Sequence, residues 1–325
     1  MAGQALSNSQ LQEDYLADLE LQGATKKTIE NYKSCISIYI SWLHKDKKTL
    51  LSVDDIKDKK IVEDFLRYLR KERLKDNGDN ISFSRIKAIF SALNSLYTYL
   101  EYEGLVKKNI ILTVRKRYLK QFKKGYTPAI RKVIDENKMS SFLNSIPNLQ
   151  DKVICLLLVK TGIRRNELIK IDVSDVDLNE MSIRLKPRTF KKRTNRVVFF
   201  DKETKRLLEY WIKRRKLLAN PGERALFIGA YGNRINKNAV YEAVTKWPKR
   251  YGIFDTKSDR IEDHFSVHNF RHCFTTYLSK NGMPKDYIQE LRGDKRAKVI
   301  DIYIHIDKED LRREYLAAIP KFNVY

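Results

Sequence analysis

At 325 residues the chain has room for two domains, each with its own core, and its apolar share of 42% is ordinary for a globular protein. Its charge is not ordinary: 65 Lys and Arg against 41 Asp and Glu give +24 and a pI near 9.7, which points to a polyanionic partner, nucleic acid before an anionic membrane. No apolar run is long enough for a bilayer, the start MAGQALSNSQ has no signal-peptide pattern, and GxxxxGK[ST] and GxGxxG do not occur, so the expectation is a cytoplasmic, DNA-associated protein with no cofactor, no bound metal and no membrane.

In chain order, apolar periodicity predicts helices almost throughout residues 11–113. One runs from Leu11 to Leu21. A second passes through NYKSCISIYISWL, capped by Thr25 or Thr28, and Ser52 to Asp55 introduces a third through IVEDFLRYLRKERL. KDNGDN (Lys75 to Asn80) is a loop, and SFSRIKAIFSALNSLYTYLEYEG ends at Gly104 as a glycine stop. These make a four- or five-helix bundle over residues 1–113. Between Glu103 and Asp135 no acidic residue interrupts a run of ten Lys and Arg, read as a basic linker over 114–130.

The second domain, 131–325, opens with the helical stretches NKMSSFLNSI and DKVICLLLVKTG. MSIRL and RVVFF, two β-branched runs joined by KPRTFKKRTN, predict a hairpin in a small antiparallel sheet. Helices resume at LLEYWIKRRKLL and NKNAVYEAVTKWPKRYG, then after Ser266, and again through the C-terminal stretch, where Leu311, Tyr315, Leu316 and Ile319 form an apolar stripe. The fold class is therefore mainly α with a small antiparallel sheet. Cys35, Cys155 and Cys273 lie far apart in apolar segments, as buried free thiols do.

DHFSVHNFRHCFTTYLSKNG spaces His264, His268 and His272 four residues apart, a pattern that on one helix could gather zinc. Three features speak against it. No carboxylate follows the first histidine, Ser266 caps the helix so that His264 falls outside it, and Arg271 stands between the other two imidazoles. His268, Arg271, His272 and Thr275 share a face about 120° from the apolar row Val267, Phe270, Phe274, Tyr277 and Leu278. A guanidinium between imidazoles suits a phosphate better than a cation.

Four stretches call for one explanation: TGIRRNEL (Thr161 to Leu168), the basic hairpin, HNFRH (His268 to His272) and IDIYIHI around Tyr303. Breaking a phosphodiester without metal or nucleotide takes a nucleophile, cations around the non-bridging oxygens and an acid for the leaving alkoxide. The four stretches hold all three. In this order they resemble the tyrosine recombinases, the integrase family of site-specific DNA recombinases. TGIRRNEL is similar to TGxRxxEL, HNFRHCFTTYLSKNG to HxLRHxxATxLxxxG, and LRGDKRAKVIDIYIHI to the LGH box and the YxH segment after it. TKKTIENYKSCISIYISWL and FSALNSLYTYLEYEGLVKKNI resemble the family's helical core-binding domain, so the likeness spans nearly the whole chain.

The resemblance implies a two-domain enzyme that cleaves and rejoins duplex DNA through a covalent 3′-phosphotyrosine and exchanges strands via a Holliday junction. It acts as a homo-tetramer on two DNA sites and is a monomer or weak oligomer when free. Tyr303 would be the nucleophile, Arg164 and Arg271 the phosphate clamp, and His268 the aid to proton transfer from the tyrosine. The general acid is a hairpin lysine, Lys191 ahead of Lys192, with Lys186 a distant third. Glu167 would orient an arginine or a neighbouring backbone group. Lys26, Lys27, Arg85 and Lys87 are candidate DNA contacts in the first domain. One departure stands out: LRGD puts Asp294 where the family has His or Trp, and an ionised carboxylate cannot donate to a phosphate. Either Asp294 turns aside to Arg292 or Lys295, or His272 or another donor supplies the contact. A type IB topoisomerase of the same chemistry, and a DNA-binding protein with a degenerate site, are the competing readings.

Overall fold

The computed structural model describes residues 7–54, 58–73, 80–119, 133–186, 196–254, 265–294 and 306–325. The chain divides into two compact units, Met1–Tyr126 and Thr127–Tyr325.

The described residues of the first unit are mainly helical: α1 (Asn8–Leu21), α2 (Lys26–Lys45), α3 (Lys59–Lys71), α4 (Phe83–Tyr102) and α5 (Ile110–Tyr118). Side-chain caps set the starts. Ser7 accepts from Gln10 N at 3.1 Å and Ser82 from Arg85 N at 3.2 Å; of the two threonines before α2 it is Thr25 that caps, accepting from Thr28 N at 3.3 Å. Each helix turns one stripe inward: Leu11, Tyr15 and Leu19; Ile36, Tyr39 and Leu43; Val62, Phe65 and Leu69; Phe90, Leu93 and Tyr97. The Tyr39 and Phe65 rings meet at 4.6 Å, and Tyr97 Oη donates to Leu50 O at 2.9 Å, fixing the 3-10 turn Leu50–Val53. Residues 114–118, which sequence places in a linker, continue α5, and Val114 and Leu119 are buried in this core. Charge patterning hid that apolar seam, because the basic residues occupy the outer face.

The second unit is built around α7 (Leu149–Thr161), whose residues Val153 to Thr161 are buried on every side. Packed against it are α6 (Glu136–Asn144), α9 (Lys202–Arg215), α10 (Lys237–Arg250) and α11 (Val267–Lys280). The sheet is antiparallel, in the order β1 (Val176–Asp177), β2 (Ser182–Leu185), β3 (Arg196–Phe199), with Ile183 opposite Val198 and Leu185 opposite Arg196. β2 and β3 are the expected hairpin, and the two-residue β1 is too short to leave a sequence pattern. The chain is thus mainly α with a small antiparallel sheet, as anticipated.

The C-terminal helix α13 (Lys308–Ala318) packs on α11 within the same chain. Leu311, Tyr315, Ala318 and Ile319 face inward while Leu316 stays 39% exposed. The expected stripe is corrected at that position. Residues 311, 315 and 318 follow the i, i+4, i+7 rule, whereas 316 lies about 140° from 311 around the helix. Beyond α13 the last residues form a strap: Lys160 Nζ donates to Pro320 O at 2.5 Å, and Glu203 accepts from Phe322 N at 2.9 Å and Val324 N at 3.3 Å.

Candidate active site

Four segments of the second unit converge on one cluster of guanidiniums. The first is the turn after α7. Gly162 ends that helix at φ 59°, and a Cβ there would lie 2.4 Å from the Phe274 ring, so both the left-handed backbone and the close approach to α11 require glycine. Two residues on, Arg164 is the N-cap of α8 (Arg165–Lys170). Glu167 closes the cap, accepting from Arg164 N at 2.7 Å and Arg164 Nη1 at 3.2 Å.

The second segment is β3. Arg196 begins the strand with its side chain buried and grips both Glu167 oxygens, Nη1 to Oε1 at 3.0 Å and Nη2 to Oε2 at 3.1 Å, while Nε donates to Leu291 O at 2.9 Å. Burial would raise the Glu167 carboxyl, but hydrogen bonds and charge from Arg196, then from Arg164, bring it below the ordinary carboxylate range. Glu167 thus braces Arg164 and Arg196 together.

The third segment is α11. Its apolar row, Val267, Phe270, Phe274, Tyr277 and Leu278, is buried as the spacing implies, and Arg271 is buried beside it. Arg271 Nη1 donates to Gly162 O, and Nη2 to Arg292 O at 2.8 Å. Burial, and then the positive charge of Arg164 and Arg292, push Arg271 down to about 10, which leaves it charged at neutral pH. His268 and His272 lie on the exposed side of this helix.

The fourth segment is the LRGD turn that ends α12 (Lys285–Arg292). Gly293, at φ 60°, turns the chain so that Asp294 meets the arginines: Oδ1 lies 3.2 Å from Arg164 Nη2 and 2.8 Å from Arg271 Nη2, and Oδ2 lies 3.0 Å from Arg292 Nε. Arg292 O also accepts from Arg164 Nη1 at 3.3 Å. Asp294 does pair with Arg292, but it does not turn aside, because its first oxygen bridges Arg164 and Arg271.

Arg164, Glu167, Arg271 and Asp294 are therefore brought together. Tyr303, Lys191, Lys192 and His264 lie outside the described residues. Lys186 is held in an ion pair with Asp172 and, at 3.0 Å, with Asp175; its hydrogen bond to Asp172 leads in raising its pKa, which makes it a poorer acid. In the first unit Lys26 and Lys27 are exposed at the start of α2, Arg85 reaches Ser34 of α2 at 3.4 Å, and Lys87 lies over the Phe83 ring at 4.9 Å. Cys35, Cys155 and Cys273 are buried free thiols, each raised by burial. Among the described residues no three His, Cys, Asp or Glu side chains are grouped to hold a metal ion, and no helix is long and apolar enough to cross a membrane. Sequence reasoning missed the part played by Arg196. Its signal was an arginine at an inward register of an apolar strand, a position that requires a buried carboxylate partner.

This cluster sits within residues 132–310, which match the phage integrase family model. The chain belongs to the phage integrase family. Residues 11–105 match the phage integrase N-terminal SAM-like domain, so the family covers both units. The tyrosine recombinase XerA of Saccharolobus solfataricus is 29% identical over 312 residues, 94% of this chain and 91% of that protein. The tyrosine recombinase XerC of Vibrio cholerae is 29% identical over 194 residues, 58% of this chain and 59% of that protein. The fold is similar to that of the Tn1549 transposon integrase in complex with transposon right end DNA, with a TM-score of 0.65 at 18% identity, covering 94% of this chain and 98% of that one. It is similar also to XerH site-specific recombinase bound to difH substrate, with a TM-score of 0.62 at 20% identity, covering 95% and 83%.

Proposed function

We propose that this integrase-family chain is a site-specific DNA recombinase that cleaves and rejoins duplex DNA through a 3′-phosphotyrosine at Tyr303. The observation that carries the reading is the convergence of Arg164 and Arg271, from segments more than a hundred residues apart, on a single anionic oxygen at 3.2 and 2.8 Å. Two planar forks aimed at one anion form a seat for the non-bridging oxygens of a phosphodiester, with their charge in place before the reaction begins. The relatives named tyrosine recombinase and the solved neighbours bound to DNA support the same reading, as does the charge of +24.

In this mechanism the Tyr303 hydroxyl gives up its proton with help from His268 and its oxygen attacks phosphorus. The bond from phosphorus to the 5′ oxygen breaks, and that oxygen takes a proton from Lys191, or from Lys192 if that lysine faces the leaving group. One ester replaces another, so the bond energy is kept, and a 5′-hydroxyl from a second duplex reverses the step to give a Holliday junction. Arg164 and Arg271 hold the charge of the pentacoordinate state, and Glu167 with Arg196 keeps Arg164 in place. Lys26, Lys27, Arg85 and Lys87 contact the backbone from the first unit, and four copies act on two sites.

A duplex nicked next to the cleavage position tests this, because the short leaving strand diffuses away and traps the intermediate. The wild-type chain is expected to accumulate a protein–DNA adduct and Tyr303→Phe none. Binding without any adduct would establish a DNA-binding protein with an inactive site, and relaxation of supercoiled circles by a monomer would establish a topoisomerase.

A further inference from the structure

The arginine cluster is not electrically balanced. Among the described residues, Arg164, Arg196, Arg271 and Arg292 face two carboxylates, Glu167 and Asp294, and Glu167 is committed to Arg196 and the α8 cap. Of these two, Asp294 serves the open side. It is an imperfect occupant: Arg292 Nε lies 3.0 Å from Oδ2 but off the hydrogen-bond direction, which leaves a buried donor unsatisfied. The Asp294 side chain is 30% exposed, so the position can be reached from solvent.

We propose that the Asp294 carboxylate is a placeholder, holding in the free protein the seat that a DNA phosphate takes by displacing it, and that Arg292 is a third phosphate-binding guanidinium uncovered by the exchange. This rests on the reading of Arg164 and Arg271 as a phosphate clamp. A carboxylate and a phosphodiester each carry one negative charge, so the exchange leaves the charge of the cluster unchanged. The two part company in the reaction. The pentacoordinate state gains a further negative charge that three guanidiniums can share, whereas the Asp294 carboxylate as seated hydrogen-bonds Arg164 and Arg271 and leaves Arg292 Nε without a hydrogen bond. Meanwhile the aspartate keeps four like charges from splaying apart before DNA arrives. The turn is fastened for this task, with Leu291 O held by Arg196 and Arg292 O by both clamp arginines, so only the Asp294 side chain has to swing away.

The test uses the full chain and inorganic phosphate as probe, titrated by calorimetry at fixed ionic strength, with Asp294→Asn as the isosteric variant and Asp294→Ala as a second. A placeholder competes with phosphate, so both variants are expected to bind it about tenfold tighter than wild type. The further substitution Arg292→Gln in Asp294→Asn removes that gain. On the nicked duplex, Asp294→Asn shifts the DNA concentration for half-maximal rate more than it shifts the limiting rate. Unchanged or weaker phosphate binding in both variants overturns the proposal, as does a fall confined to the limiting rate, since a structural brace would behave in those ways. Absence of a covalent adduct from wild type would sink the recombinase reading instead, while the phosphate titration would still decide whether the seat is self-occupied.

Discussion

Two ionic clusters sit four residues apart at the end of α7 and are built on opposite principles. Lys160 is fully buried and faces two carboxylates, Asp201 at 2.6 Å and Glu203. Those carboxylates are satisfied in turn: Asp201 accepts from Thr204 N and Oγ1, and Glu203 accepts from Phe322 N and Val324 N. The Phe322 ring lies under the ammonium at 4.5 Å. Every charge there has a permanent partner within the chain, so the cluster is a fastening that ties the C-terminal strap to the core. Among the described residues, the arginine cluster beyond Gly162 has more guanidiniums than carboxylates, and Arg292 Nε is a buried donor without a hydrogen bond. Surplus charge of one sign costs stability, and it is retained where something from outside completes the set.

The sharpest way to break this contrast is Lys160→Met, which keeps the bulk and leaves two buried carboxylates uncompensated. Removing one partner of a buried ion set costs about 3 to 5 kcal/mol, which lowers the melting temperature of a unit this size by about 10 °C. Thermal unfolding measures it, and hydrogen exchange at Phe322 and Val324 should accelerate as the strap loosens. The adduct rate per folded molecule is expected to change by less than about threefold, within ordinary coupling between neighbouring sites. A large fall in that rate would show that the fastening and the arginine seat are one device.

Glu167→Gln acts inside the arginine cluster and is expected to have a middle-sized effect. The amide keeps the shape but can accept through only one oxygen, so Arg196 loses half of its fork at a cost of about 1 to 3 kcal/mol. Because the carboxyl lies below its ordinary value when folded, it contributes stability above the unfolded pKa of about 4.3, and that contribution is lost as pH falls through the folded pKa. Melting curves of wild type and Glu167→Gln should therefore differ at neutral pH and draw together under acid. A gap independent of pH would mean that Glu167 acts by packing and not by charge.

Legibility from sequence followed the range of the interactions. Helices such as α4 and α11 announce themselves within a turn or two through an N-cap serine, an apolar stripe and a glycine or asparagine stop, and α2 through its N-cap threonine and apolar stripe. Arg164 and Arg271 were legible because local motifs surround them. Arg292 was legible only as a neighbouring cation for Asp294, a pair the structure contains, and Arg196 was not legible at all, since it acquires its meaning from Glu167, twenty-nine residues before it. Asp294 read as a defect because the motif shows only which residue is missing, whereas the geometry shows which cations the new one meets. Leu316 misled for a local reason, as an apolar residue one step off the stripe.

The smallest expected effect separates two reasons for one glycine. Gly293 has φ 60°, and a Cβ there would stand 2.7 Å from Arg196 Nη1 and 2.9 Å from Cζ. Arginine side chains usually yield to such crowding, but this one is pinned by both Glu167 oxygens and by Leu291 O. In Gly293→Ala the backbone strain alone costs about 1 to 2 kcal/mol, read as a modest fall in denaturant midpoint. Arg196 holds Leu291 O, one residue before the Arg292 carbonyl that accepts from Arg164 and Arg271, so if Arg196 is displaced, adduct formation on the nicked duplex should slow by about tenfold, the equivalent of about 1.4 kcal/mol. Gly293→Asn isolates the cause, because asparagine tolerates the left-handed conformation but carries the same Cβ. If it recovers stability yet stays slow, crowding of Arg196 sets the rate; if it recovers both, glycine is there for its backbone alone, and the arginine cluster is looser than its hydrogen bonds suggest.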